Sequence, residues 1–215
     1  MNYKEKEVKK SDKKLQIVVL GSSSSICTEK AYNLAFETGK KIGEEGYVCL
    51  TGGGHGVMEA ALKGAKSVGG ITLSIVPWED KNESNDYSDI TVATGIGWSR
   101  NSININSADG CIVIGGGAGT LNEVTYAYMM RKPTVALTPS GGMAETVHDA
   151  VFDKRETEII KGVNSPNEAV ETIVKLIKEK AEKGAQVSDF DKKLLEKIQK
   201  DKDKTGQDEH GRIME

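Results

Sequence analysis

Residues 111–123 restrict what this chain can fold into more than any other stretch. They read CIVIGGGAGTLNE, which is an apolar run with three β-branched residues, then a glycine-rich segment, then residues with helical spacing. The apolar run is typical of a strand that is buried on both faces of a sheet. Glycines let the backbone approach a ligand closely and adopt positive φ angles. This stretch therefore predicts a strand, a glycine loop and a helix N-terminus in direct succession.

Such a succession favours a phosphate-binding loop. The first N–H groups of a helix have no partners within it, and the helix dipole makes that end positive. Thr120 follows the last glycine and can add a hydroxyl donor. Glu123 is less easily explained, because a carboxylate repels a phosphate. Two roles are open for it: a capping-box partner of Thr120, or a group that faces the sugar beyond the phosphate.

Two well-known glycine loops fit the stretch poorly. A P-loop requires Lys and then Ser or Thr after its last glycine, whereas Thr120 and Leu121 follow here. A dinucleotide fingerprint requires an acidic residue at the end of the next strand, and the segment 137–139 has none. The sequence therefore disfavours an NAD-dependent oxidoreductase.

Two further loops are expected at the same edge of the sheet. Residues 51–58 read TGGGHGVM between a predicted strand at 47–50 and a predicted helix at 59–68. Carboxyl ends of parallel strands meet at one crevice, so this loop and the 115–119 loop should converge there. His55 is either structural or a ligand contact. Residues 21–25, after a strand at 15–20, form either another ligand loop or an ordinary turn with an N-cap.

Arg100 stands where a cation is unfavourable. It lies at the start of a predicted helix that runs through Ala108, where a positive charge opposes the helix dipole. The placement calls for an anion, which is either a surface salt-bridge partner, a bound phosphate or the Glu123 carboxylate. In the same helix, Ile103 and Ile105 are predicted to be buried.

Strands alternate with helices along most of the chain, which predicts an α/β fold with a doubly wound, parallel, Rossmann-like sheet. We expect a single such domain at residues 15–183. A flexible charged arm at 1–14 precedes it, and a charged extension with a short helix and a frayed tail follows at 184–215. Further strands are predicted at 70–76, 90–94, 133–137 and 157–163, and a final helix from Pro166. The polar segment 78–88 is expected to be a surface loop or partial lid.

Composition excludes several classes of protein. The net charge of −3 gives no basic field for nucleic acid. No apolar run approaches the ~20 residues of a membrane span, and the first residues lack the apolar core of a signal peptide. The three cysteines, Cys27, Cys49 and Cys111, lack C-x-x-C spacing, as is typical of reduced thiols. We therefore expect a cytoplasmic protein with no nucleic-acid or membrane partner, and with Cys49 and Cys111 in the core.

Four segments resemble, in order, the motifs of a known family. They are GSSS at 21–24, TGGGHGVM at 51–58, SRN at 99–101 and GGGAGTLNE at 115–123. They resemble the cytokinin-activating "lonely guy" (LOG) phosphoribohydrolases, long mislabelled lysine decarboxylases, and the last segment corresponds to that family's PGGxGTxxE motif. The resemblance extends from about residue 15 to residue 176. The wider superfamily includes molybdenum-cofactor carrier proteins.

The resemblance implies a Rossmann-like fold, a homodimer or higher homo-oligomer, and a site for a nucleoside 5′-monophosphate. It assigns catalysis to Arg100 and Glu123, and it implies no metal and no cofactor for hydrolysis. It places the phosphate and nucleotide contacts on the glycine loops and their neighbours: Gly21, Ser22, Ser23, Gly52, Gly53, Gly54, His55, Gly56, Met58, Asn101, Gly115, Gly116, Gly117, Gly119 and Thr120.

Two departures from the family pattern bear on function. Gly115 replaces the proline of the motif, which predicts a less rigid loop. Ser99, preceded by Trp98, replaces the acidic residue before the arginine. Both changes bring the chain closer to the carrier-like branch. A lysine decarboxylase would need a lysine site for pyridoxal phosphate, and nothing in the sequence argues for one.

Two functions follow. The first is hydrolysis of the N-glycosidic bond of a nucleoside 5′-monophosphate to free base and ribose 5-phosphate. The second is a non-catalytic carrier or sensor that binds molybdenum cofactor or a nucleotide. The retention of both Arg100 and Glu123 favours the enzyme.

Overall fold

The computed structural model describes residues 13–154 and 160–183. The chain divides into two compact units, Met1–Lys175 and Leu176–Glu215. In the second unit the described residues, 176–183, are helical. All the described strands belong to the first unit, where they form a single Rossmann-like α/β domain.

The domain is built on a parallel sheet of seven strands in the order β4-β3-β2-β1-β5-β6-β7, with every neighbouring pair parallel. The order reverses between β1 and β5, which creates the crevice where open α/β sheets bind ligands. The predicted fold class is confirmed. The strands are β1 (Gln16–Gly21), β2 (Val48–Thr51), β3 (Ile71–Val76), β4 (Ile90–Ala93), β5 (Gly110–Ile114), β6 (Thr134–Leu137) and β7 (Lys161–Val163).

The helices lie between these strands, except for the last, which follows β7. They are α1 (Glu29–Glu44), α2 (Val57–Ser67), α3 (Asn101–Ser107), α4 (Ala118–Met129), α5 (Gly142–Val147) and α6 (166–183). Short 3-10 turns lie at Lys81–Glu83, Gly97–Arg100 and Thr138–Ser140. Among the described residues, no helix has the length and apolar character required to cross a membrane.

The centre of the sheet forms the core. Every residue of β5 is buried, as its run of β-branched residues predicted. Cys49 and Cys111 are fully buried, which confirms the expectation for these thiols, whereas Cys27 is half-buried. Burial raises the pKa of the Cys49 thiol to about 12. That thiol is therefore unreactive at neutral pH.

Helices α1 and α2 pack through glycines. Thr28 caps α1, and its side chain accepts a hydrogen bond from the Ala31 N–H. A Cβ on Gly39 would lie 1.8 Å from the Ala61 carbonyl oxygen, and a Cβ on Gly64 would lie 1.9 Å from that of Phe36. The two helix backbones therefore approach closer than any side chain allows.

The structure differs from the predicted elements at Ile103, at helix α5 and at the start of β7. Ile105 is buried, but Ile103 is 36% exposed, because residues two apart in a helix lie on nearly opposite sides. Helix α5 was not predicted, since it is short and begins at Gly142, which like its N-cap Gly141 has a positive φ. The strand predicted from residue 157 is seen at Lys161–Val163. Residues 157–159, and the predicted helix around residues 190–198, lie outside the described residues.

Candidate functional site

A cavity of about 480 Å³ opens at the carboxyl ends of the central strands, where the strand order reverses. Its volume lies within the usual range of small-molecule sites. Segments that follow β1, β2, β3, β4 and β5 all contribute to its wall. The lining residues are Gly21, Ser23, Ser24, Ile26, Gly52, Gly54, His55, Met58, Pro77, Trp78, Gly97, Trp98, Arg100, Asn101, Gly117, Ala118, Gly119, Thr120 and Glu123.

The loop between β5 and α4 is fixed from behind by two serine hydroxyls. The Gly115 N–H donates to Ser140 Oγ, and the Gly116 N–H donates to Ser22 Oγ, both at 2.7 Å. Both serines are buried. These two amides already donate to serine hydroxyls, so they are not free to donate to a ligand. The part of this segment that lines the cavity is the start of α4, from Gly117 to Thr120.

Gly115 shows why this loop differs from the family motif. Its φ is +59°, which a proline ring, held near −65°, cannot adopt. Its N–H is also used, and proline has none. Two serine hydroxyls hold the backbone at the position where the family motif has its proline. The expectation of a less rigid loop stays a prediction.

Arg100 and Glu123 form a buried ion pair in the cavity wall. Arg100 Nη1 lies 3.2 Å from Glu123 Oε1, and the two side chains are 7% and 11% exposed. The guanidinium also donates to Asn101 Oδ1 at 2.8 Å and to the Gly52 carbonyl oxygen at 3.4 Å. The anion that Arg100 requires is thus Glu123, and a surface salt bridge does not account for its position.

Of the two roles that the sequence left open for Glu123, the structure contradicts the capping box. Helix α4 is capped by Gly117, not Thr120, and the Thr120 hydroxyl donates to the Gly21 carbonyl oxygen at 3.1 Å. Glu123 lies one turn further along α4, directed at α3 and the cavity. Its second partner there is Asn104, whose Nδ2 donates to the same Oε1 at 3.3 Å.

The electrostatics of the pair follow from burial. Desolvation raises the pKa of the Glu123 carboxyl above its ordinary value, while the Arg100 charge and the Asn104 amide act in the opposite direction. Burial also lowers the pKa of Arg100, whose guanidinium nevertheless stays charged. The Nε of Arg100 and the Oδ1 of Asn104 are buried without a described hydrogen-bond partner. The site therefore holds an acid and a base in a largely buried environment, where desolvation favours the protonated form of Glu123 and Arg100 favours the ionised form.

The second glycine loop is held by the 78–88 segment. Buried Asn85 donates from Nδ2 to the carbonyl oxygens of Gly53 at 3.1 Å and Gly54 at 2.8 Å, and its N–H donates to Gly53 at 2.9 Å. The segment also supplies Trp78 to the cavity wall. His55 is exposed at the rim, with Nδ1 3.0 Å from Glu59 Oε2.

Most of the predicted site residues lie together in the cavity wall. Those present there are Gly21, Ser23, Gly52, Gly54, His55, Met58, Arg100, Asn101, Gly117, Gly119, Thr120 and Glu123. The other five lie behind the wall, where they shape or hold the loops: Ser22, Gly53, Gly56, Gly115 and Gly116. Their contact with a ligand stays a prediction, as does that of the first group.

Sequence reasoning missed several residues of the site. Asn104 could have been predicted from its spacing, since it lies on α3 one helical turn after Arg100 and therefore on the same side of the helix. Of the other lining residues that were not predicted individually, Ser24 and Ala118 lie within the motifs at 21–24 and 115–123, Trp78 lies in the predicted loop at 78–88, and Trp98 stood out as a departure from the family motif. These other lining residues are Ser24, Ile26, Pro77, Trp78, Gly97, Trp98 and Ala118. Among the described residues, no group of three or more His, Cys, Asp or Glu side chains could hold a metal ion.

Fold and site together define a class: Rossmann-like α/β proteins in which glycine loops surround a cavity with a buried Arg–Glu pair. Within that class the chain belongs to the SLOG cluster4 family, whose sequence model matches residues 14–170. This match, together with the relatives and solved structures described next, confirms the resemblance to the LOG-like superfamily and its carrier branch.

Two curated relatives are similar in sequence. An uncharacterized protein of Archaeoglobus fulgidus is 42% identical over 127 residues, which are 59% of this chain and 82% of that protein. The cytokinin riboside 5′-monophosphate phosphoribohydrolase of Mycobacterium tuberculosis is 32% identical over 117 residues. That match covers 50% of this chain and 63% of the mycobacterial protein.

Two solved structures are similar over nearly their whole length. The molybdenum cofactor binding protein of Rippkaea orientalis is 33% identical, with a TM-score of 0.67, and the match covers 78% of this chain and 99% of that chain. The molybdenum cofactor carrier protein of Chlamydomonas reinhardtii is also 33% identical, with a TM-score of 0.66 and coverage of 77% and 99%.

Proposed function

We propose that this protein hydrolyses the N-glycosidic bond of a nucleoside 5′-monophosphate, releasing the free base and ribose 5-phosphate. The observation that carries the proposal is the buried Arg100–Glu123 pair in the wall of a cavity that also contains the start of α4. The similarity to a mycobacterial phosphoribohydrolase supports it. We further propose that the protein is cytoplasmic and works as a homodimer or higher homo-oligomer.

In this proposal the 5′-phosphate binds at the N-terminus of α4. The N–H groups of Ala118, Gly119 and Thr120 occupy its first turn, where a helix leaves its amides without internal partners. Ser23 and Ser24 also line the cavity, and their hydroxyls can donate to the same phosphate. Fixing the phosphate orients the sugar, so that binding energy remote from the reacting bond serves catalysis.

Glu123 then acts on the sugar. As the bond from the anomeric carbon to the base breaks, positive charge builds on the ribose, as in O-glycoside hydrolysis. A carboxylate beside the sugar stabilises that charge and orients the water that adds to the anomeric carbon. The water supplies the new hydroxyl of ribose 5-phosphate and loses one proton, which balances the proton that the departing base takes up. Arg100 keeps Glu123 ionised against the desolvation that raises its pKa.

A carrier of molybdenum cofactor is the second candidate. It is favoured by the two solved structures, whose chains are matched almost completely, and by the Trp98-Ser99 and Gly115 departures from the hydrolase motif. In this alternative the start of α4 would hold the phosphate of the cargo, and Arg100 and Glu123 would line the cavity without bond cleavage.

The test incubates the purified protein with a panel of nucleoside 5′-monophosphates and measures free base by chromatography. Glu123→Gln should abolish base release and Arg100→Gln should strongly reduce it, while circular dichroism shows an intact fold in both. Glu37→Gln, at an exposed acid on α1, is the control and should keep full activity. Absence of base release from every nucleotide, together with tight binding of a phosphate-bearing cofactor, would favour the carrier.

A further inference from the structure

Both tryptophans of the chain line the same cavity. Trp98 is 79% exposed, although indole rings are usually largely buried. An exposed tryptophan at the rim of a cavity leaves a large apolar face without a partner. Such a face at a ligand site is available to the ligand itself.

The two segments that carry the tryptophans are hydrogen-bonded to each other through their backbones. The Gly95 N–H donates to the Trp78 carbonyl oxygen at 2.9 Å, and the Gly97 N–H donates to that of Pro77 at 3.1 Å. Gly95 and Gly97 have φ of +64° and +58°, which favour glycine. The segment that carries Trp98 is therefore tied to the segment that carries Trp78. The aromatic wall is built in, rather than formed by one free side chain.

Trp98 also lies close to the proposed phosphate end of the site. Its Cζ3 is 3.7 Å from where a Cβ on Gly119 would lie, so the ring is beside the first turn of α4. Arg100 follows two residues later in the same 3-10 turn. A ligand with its phosphate on α4 and its sugar at Glu123 would thus have the indole within reach of its remaining part.

We propose that Trp98 is the stacking surface for a planar, bicyclic heterocycle of the ligand and thereby determines specificity. The inference rests on the proposed phosphate-ligand site and adds the class of base that the site prefers. The free energy of stacking becomes more favourable as the area of the ring increases. A purine nucleotide should therefore bind more tightly than a pyrimidine nucleotide, and both more tightly than a sugar phosphate without a base. Ile26 and Met58 complete the apolar part of the wall.

The test measures dissociation constants by calorimetry for adenosine 5′-monophosphate, cytidine 5′-monophosphate and ribose 5-phosphate, with free base assayed after each titration. Trp98→Ala should weaken adenosine 5′-monophosphate about ten-fold or more and leave ribose 5-phosphate within about two-fold. Trp98→Phe should restore most of the loss. Ile90→Ala, an exposed apolar residue on β4 outside the cavity wall, is the control and should change neither ligand.

Three results would overturn the inference. The first is wild-type protein that binds adenosine 5′-monophosphate no more tightly than ribose 5-phosphate. The second is an equal loss of both ligands in Trp98→Ala, which would make the residue structural. The third is unchanged affinity with a changed oligomeric state on gel filtration, which would assign Trp98 to an interface between copies of the chain. Base-dependent binding without base release would contradict only the hydrolase proposal.

Discussion

Arg100 Nη1 and Glu123 Oε1 lie 3.2 Å apart, although the two residues come from different elements and are 23 positions apart in the chain. A carboxylate buried in this way depends on its cation, since an unpaired buried charge is strongly unfavourable. Removal of either partner should therefore affect the ionisation of the other as well as its position.

The first prediction concerns the pH dependence of base release. If Glu123 acts as a carboxylate, activity rises as pH increases through its pKa, which burial raises above the ordinary value of 4.5. Arg100→Gln removes the charge that opposes this shift, so the acidic limb of any residual activity should move to still higher pH. The measurement is kcat/KM against pH, with Glu37→Gln as the control. A limb at the same pH in both proteins would argue against ionisation of Glu123 as the controlling step.

The same raised pKa predicts an effect on stability. The pKa of Glu123 is higher in the folded protein than in the unfolded chain, so the folded protein favours the protonated carboxyl. The stability that Glu123 contributes is therefore fully present below its pKa in the unfolded chain, and it is lost as pH rises through its pKa in the folded protein. The Tm of wild type minus that of Glu123→Gln should therefore fall across that window as pH increases. Thermal unfolding in a pH series measures it, and a difference that grows with pH would contradict the assignment.

Substitution of Gly52 should also disrupt the Arg100–Glu123 ion pair. A Cβ there would lie 2.3 Å from Arg100 Nη2, so Gly52→Ala must displace the guanidinium from Glu123. We expect base release to fall at least ten-fold and the free energy of unfolding to drop by about 1–3 kcal/mol. Gly54→Ala is the matched control for stability, because its Cβ would meet only the flexible end of Met58, at 2.9 Å. Equal destabilisation by the two substitutions would show that loop crowding, not Arg100, is responsible.

Much of the fold could be predicted because it is encoded locally. Short apolar runs, glycine punctuation and helical spacing are sufficient to order the strands and helices from β1 to α4. The Arg100–Glu123 pair could also be anticipated, since each residue alone was electrostatically out of place. The contacts of Asn85 and Ser140 could not, because a polar side chain that holds a distant backbone leaves no periodic signal. These contacts depend on the tertiary arrangement alone.

Ser140 predicts how the loop before α4 is stabilised. Its Oγ accepts from the Gly115 N–H at 2.7 Å and donates to the Leu137 carbonyl oxygen, all in a buried environment. Ser140→Ala removes both of these buried hydrogen bonds and should cost about 1–3 kcal/mol of unfolding free energy, measured by urea denaturation. Ser102→Ala, which removes an exposed hydrogen bond to the Ser99 carbonyl oxygen, is the control and should cost less than about 0.5 kcal/mol.

Gly115→Pro tests the same loop from the other side. It restores the family's proline, yet it should destabilise the protein by about 3 kcal/mol or more, because the φ of +59° is inaccessible to proline and the N–H bonded to Ser140 is lost. Unchanged or increased stability in urea denaturation would show that the loop adopts the proline-compatible conformation.

The final prediction concerns the glycines at which α1 and α2 pack. For these glycines we expect substitution by alanine to change the free energy of unfolding in the direction opposite to that expected from helix propensity. Alanine is normally preferred to glycine inside a helix by about 1 kcal/mol. Gly39→Ala and Gly64→Ala should nevertheless each destabilise the protein by about 1–3 kcal/mol, since the added methyl groups would lie 1.8 Å and 1.9 Å from backbone carbonyl oxygens of the other helix. Gly119→Ala is the matched helical control, because its nearest neighbour would be in ordinary contact at 3.7 Å. Urea denaturation should separate the first two variants from the third, and stabilisation by either would mean that α1 and α2 do not pack this closely in solution.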